Sequence, residues 1–187
     1  MVVNFKSYKF QQGFTLIELV LGMTVIVVVI GFMMAAMLPK EKESADQIHL
    51  IRAAELGQSL MNEITSKAFD QNSDLSGGLL RCNETGFQAC TTSANLGSEG
   101  ETRTFYNDVD DFNGLSSIED ALGSDISELY NNFSIFVSVN YDNNYDGITD
   151  IYDGTIDNSQ LTKRITITVT TPLGTPITFA VFKANFE

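Results

Sequence analysis

Gly13-Phe14-Thr15-Leu16-Ile17-Glu18 leads into LVLGMTVIVVVIGFMMAAML, residues 19–38, and this stretch decides the architecture. No charged residue interrupts those positions. At 1.5 Å per residue they span about 30 Å, the thickness of a bilayer's hydrocarbon core. A helix able to cross a membrane is therefore expected. A simple anchor leaves Glu18 unexplained, because a carboxylate at the edge of such a segment is expensive. A secretory signal peptide fits less well still. The apolar run is too long, and before Leu38-Pro39 only Ala35 and Ala36 supply small residues for cleavage.

Upstream, Lys6 and Lys9 make a short basic leader. Glycine, then Phe14, then glutamate as the fifth residue after the glycine, then the apolar run, together resemble the type IV prepilin signature. The resemblance implies that a membrane-embedded prepilin peptidase cuts after Gly13 and methylates the new amine of Phe14. It also implies that Glu18 of an incoming subunit neutralises the Phe14 amine of a neighbour. In a dry filament core an unpaired charge would cost several kcal/mol. The alternative for Glu18 is a carboxylate that merely snorkels to headgroups. Charge counting leaves orientation open, since Lys6 and Lys9 are balanced by Lys40 and Lys42. The signature implies an inner-membrane protein with its N-terminus in the cytoplasm and its body in the periplasm, later carried on a surface pilus. One departure is Ala35, where many major pilins kink the helix with proline. Pro39, a turn later, is expected to bend or interrupt it.

Beyond Pro39 the chain changes character. Leu50, Ala53, Gly57, Leu60, Ile64 and Ala68 recur at spacings of three and four, the apolar stripe of an amphipathic helix running to about Phe69. Residues 70–100 read as loop, with Gly77-Gly78 and many Ser, Asn and Thr. Phe133–Asn140, Arg164–Thr171 and Ile177–Lys183 alternate as strands, and Pro172-Leu173-Gly174-Thr175-Pro176 joins the last two as an antiparallel hairpin. The fold class is α+β and pilin-like: a long N-terminal transmembrane and amphipathic helix, then an antiparallel sheet. The expected parts are a leader (1–13), a transmembrane or filament-core helix (14–38), its amphipathic half (39–69) and a periplasmic globular domain (70–187). Cys82 and Cys90 lie in the periplasmic part. They are expected to form a disulfide, since no Cys-x-x-Cys motif or further zinc ligands are present.

The net charge of −13 argues against a nucleic-acid partner, which needs clustered Lys and Arg. Between Cys82 and Thr162 fifteen Asp or Glu face one base, Arg103. A solvated acidic surface accounts for most of these. Asp142–Asp153 has the spacing of a calcium loop, with side-chain oxygens at Asp142, Asn144, Asp146, Asp150 and Asp153, glycine at Gly147 and a carbonyl at Ile148. Asp at the last position and a preceding strand weaken the match, so Ca²⁺ and an acidic hairpin connection stay open alternatives. The second cluster, Asp108-Val109-Asp110-Asp111-Phe112-Asn113-Gly114, reads as a turn with solvated carboxylates. Neither cluster shows an apolar setting that would lift one carboxylate's pKa above its neighbour's.

Arg52–Ile64, Phe69–Asn72, the cysteine pair and Asp108–Gly114 resemble the MshD-type minor pilins of the mannose-sensitive haemagglutinin (MSHA) pilus. That resemblance implies a non-enzymatic subunit that primes or caps an attachment pilus, working with other major and minor pilins and an assembly platform. A type II secretion pseudopilin is the alternative in the same class. A membrane-tethered enzyme or binding domain finds little support, with His49 as the only histidine and no phosphate-cradling loop. For a carbohydrate adhesin, Tyr141, Tyr145 and Tyr152 would be the first contacts.

Overall fold

A computed structural model describes residues 13–75 and 80–185, with the backbone alone for residues 38–45. The leader lysines Lys6 and Lys9 and the Gly77-Gly78 pair lie outside the described residues. The first helix, α1, covers Leu16–Ser66. It begins where Thr15 supplies an N-cap and continues through Pro39, so the proline does not interrupt it. By its contacts the chain divides into two compact units, Met1–Ala45 and Asp46–Glu187. In the first unit, Leu16–Met37 is 22 residues long and apolar enough to cross a membrane, and its side chains are exposed.

In the second unit three antiparallel strands form one sheet in the order β1-β2-β3: β1 Ser134–Tyr141, β2 Thr162–Thr170 and β3 Pro176–Ala184. β1 pairs with β2 from Ser134↔Thr170 to Tyr141↔Lys163. β2 turns into β3 through residues 171–175, where Gly174 takes φ 84° and Thr171 N–H donates to the Thr175 carbonyl. Alternation puts Ile135, Val137 and Val139 of β1 and Ile165, Ile167 and Val169 of β2 on one buried face. Ala53, Leu56, Leu60, Met61 and Ile64 of α1 pack with them, together with Val109 and Phe112.

The helix stops at Ser66, three residues short of the sequence expectation. Its last carbonyls would be left without partners. Lys183 of β3 meets this need, donating from Nζ to the carbonyls of Thr65 (2.8 Å) and Lys67 (2.9 Å). Ala68 then leaves the helix and makes a parallel bridge with Asp108. This contact draws the acidic segment 108–111 against the end of the helix.

Candidate functional site

Gly13 and Phe14 stand free ahead of the first turn, with Phe14 85% exposed and open space around Gly13. The Thr15 carbonyl accepts from the N–H groups of Glu18 (3.1 Å) and Leu19 (3.2 Å), and the Thr15 hydroxyl accepts from Glu18 N–H at 3.4 Å. Thr15-x-x-Glu18 is thus spaced as a capping box, and Glu18 lies in the first turn, where free N–H groups favour a negative charge. The sequence reading of Glu18 overlooked this second role, although the T-x-x-E spacing announces it. Over the same segment, residues 8–36, the chain matches the family model of the prokaryotic N-terminal methylation motif.

The chain carries a prepilin signature. That signature supports a protein of the type IV pilin or pseudopilin class, and the α+β architecture behind an apolar N-terminal helix is consistent with it. The prepilin motif implies processing by a prepilin peptidase and assembly with other pilins. No curated protein and no solved structure matches the chain.

The acidic loop after β1 is organised around Asp142, which is fully buried. Its carboxylate accepts from the N–H groups of Asp146 (3.1 Å) and Gly147 (3.0 Å) and lies 3.6 Å from Arg164 Nη1. The same Arg164 nitrogen donates to the Gly147 carbonyl. Asn144 and Asp146 bond to each other, while Asp146 also accepts from Ile148 N–H. The other two carboxylates turn to different partners. Asp150 accepts from Asn143 N–H and Asp153 from Thr155 N–H; the Thr155 side chain first, and then this N–H, hold the Asp153 pKa below the usual carboxylate value. Among the described residues the loop does not bring three acidic ligand atoms together; the one such group of His, Cys, Asp or Glu is Asp70 with Cys82 and Cys90. A guanidinium therefore supplies the positive charge beside Asp142.

Cys82 and Cys90 are joined as a disulfide, so neither is available as a thiolate ligand beside Asp70. The bond is buried with Phe69, Tyr141, Tyr152 and Leu161 in a second apolar cluster. This location corrects the adhesin expectation for two tyrosines. Tyr141 is fully buried and donates to the Thr91 carbonyl, while Tyr152, also buried, donates to Asn83 Oδ1. Tyr145 alone is exposed, edge-on to Phe182. His49 is half-buried and packs edge-on against Phe133.

Between these two apolar clusters lies a group of charges that the sequence reading missed. Lys163 is fully buried, and its Nζ donates to Asp110 Oδ1 (2.7 Å), Asp70 Oδ2 (3.0 Å) and the Phe69 carbonyl (2.8 Å). The Phe69 ring lies 4.5 Å from the same nitrogen and the Tyr141 ring 5.5 Å. Asp108, Asp110 and Asp111 are buried as well, which overturns the expectation of solvated carboxylates in this segment. The absence of an apolar setting is corrected too. Burial, then repulsion from Asp110, pushes Asp108 up to about 8, and burial raises Asp110 above its ordinary value against the pull of Lys163. One signal was legible: Lys163 is in phase with Ile165, Ile167 and Val169, so strand alternation alone puts it on the inner face.

Proposed function

We propose that this chain is a minor type IV pilin of the MSHA-like kind, clipped after Gly13, methylated on Phe14 and built into a surface attachment pilus that it primes or supports. The observation that carries this reading is the methylation motif over residues 8–36, running into an exposed 22-residue apolar helix segment. In lipid that segment satisfies its backbone internally and buries its side chains in the bilayer. In a filament the same side chains are buried against neighbouring helices. A short body with a disulfide and a closed core supports a structural rather than catalytic subunit.

Counting surface filaments by electron microscopy in a deletion strain, with and without the gene restored, tests this. Loss or shortening that reverses on restoration is expected. Unchanged filaments would move the reading to a type II secretion pseudopilin, and protein secretion then becomes the assay. Gly13→Ser is expected to leave full-length precursor in the membrane, whereas normal trimming would remove the cleavage step. Calcium in the 142–153 loop also belongs to this proposal. It requires Asp150 and Asp153 to turn toward Asp142 and Arg164 to withdraw. A chelator that lowers the melting temperature of the Asp46–Glu187 unit supports it, and an unchanged melting curve in saturating calcium removes it.

A further inference from the structure

Lys163 faces two buried carboxylates, and their surroundings differ in a way that assigns them different chemistry. Asp70 is held by donors. Its oxygens accept from Thr91 N–H (2.8 Å), Asn72 N–H (3.0 Å) and the Thr91 hydroxyl (3.3 Å), besides Lys163. Asp110 has Lys163 on Oδ1, while its Oδ2 is buried without an N–H or hydroxyl donor, and the Asp108 carboxyl is its remaining side-chain partner. Burial favours the neutral acid form of Asp110, and Asp108, itself pushed up to about 8, lies beside it. The difference is geometric: the Asp70 oxygens are met by N–H and hydroxyl donors, whereas Asp110 meets Lys163 on one oxygen only.

One cation against two carboxylates is a poor arrangement for a dry core, since buried charges cost several kcal/mol each unless fully compensated. It is a good arrangement for condensation. The amine and the carboxyl are in contact at 2.7 Å, sealed from water, and held by a strand on one side and the bridged 108–111 segment on the other. Such fixed proximity replaces the entropy that an intermolecular amide bond would require.

We propose that Lys163 and Asp110 become joined by an intramolecular isopeptide bond. Lys163 passes one ammonium proton to the Asp70 carboxylate. The freed amine attacks Cγ of the neutral Asp110 carboxyl, forming the N–C bond. The C–Oδ2 bond breaks, and the hydroxyl leaves as water with a second proton from the nitrogen. Ammonium, carboxyl and carboxylate thus become amide, water and a protonated Asp70, with charge and atoms conserved and no oxidant or cofactor required. The product ties β2 to the 108–111 segment through a link that reductant does not open. In a filament subunit it would add resistance to pulling and to proteases.

The test is peptide mass spectrometry on the full chain purified from cells, after denaturation and reduction. Trypsin is expected to spare Lys163 and release Thr104–Arg164 one water lighter than its sequence mass. Backbone fragments arising between residues 110 and 163 should be missing. Cleavage after Lys163 with a full-mass peptide would overturn the proposal, and so would a link from Lys163 to Asp70. Because the wild-type protein is read directly, the result does not depend on a variant that folds. Asp70→Asn then examines the proton acceptor. A large drop in the linked fraction, in a protein whose disulfide still forms, is expected; an undiminished fraction would remove Asp70 from the step.

Discussion

Gly57 offers the sharpest test of how helix and sheet meet in the body. A Cβ built at this position would lie 2.3 Å from Cε2, 2.7 Å from Cδ2 and 3.0 Å from Cζ of Phe179. In a free helix Gly57→Ala would stabilise by about 1 kcal/mol, because alanine is the better helix former. Here the methyl group must displace an aromatic ring that packs on the core, and overpacking of this kind costs about 1–3 kcal/mol. The cost is expected to win, leaving the Asp46–Glu187 unit less stable by up to about 2 kcal/mol. Urea unfolding reads this as a lower midpoint with unchanged slope. Phe179→Leu removes the ring, and in that background Gly57→Ala should reverse sign and stabilise by about 1 kcal/mol, leaving only the propensity gain. A single mutant more stable than wild type, or a Gly57→Ala effect unchanged by Phe179→Leu, would refute the reasoning.

Three further outcomes follow from other parts of the chain. Cys82→Ser with Cys90→Ser is expected to cost about 2–3 kcal/mol by chain entropy for so short a loop, measured by urea unfolding without reductant; a loss under 1 kcal/mol would count against it. Asp108 is held at about 8 and Glu99 at about 7, in both cases chiefly by burial, a cause that does not depend on the charge of Asp110. Acids whose folded values lie above their unfolded ones of 3.8 and 4.5 take up protons on folding. The body should therefore gain stability as pH falls from about 8 to about 5, and a melting temperature that rises with pH over that window would contradict this. Glu18→Gln keeps a side chain able to complete the capping box but removes the charge. If charge pairing with the Phe14 amine drives assembly, Gln should impair incorporation into filaments as severely as Ala, with cleavage intact; near-normal incorporation would shift the role of Glu18 to capping.

Much of the architecture is local and was legible from pattern alone. The apolar run, the 3.6-residue stripe and the three alternating strands each follow from short-range periodicity, and the observed strands differ from the expected ones by one or two residues at their ends. The turn at 171–175 follows in the same way, because proline and glycine restrict or free the backbone wherever they stand. The prepilin signature is also a linear word, legible without any tertiary contact. Lys163 was not legible in the same way, because the alternating pattern becomes evident only at Arg164, two residues after β2 begins at Thr162.

Tertiary structure decided the fate of the carboxylates. Asp108–Asp111 and Asp142–Asp153 look alike in sequence, as acidic runs near glycine. One is drawn inside by the Ala68–Asp108 bridge and a buried lysine, while much of the other stays at the surface around Arg164. A carboxylate's charge, proton affinity and reactivity depend on whether water or protein surrounds it and on which cation lies within a few ångströms. Those cations stand 22 residues from Asp142, 53 from Asp110 and 93 from Asp70, so composition and spacing determine only the apolar helix of membrane-crossing length, the amphipathic stripe and the strands. Only the folded contacts determine which of its many acids are solvated and which are set against Lys163.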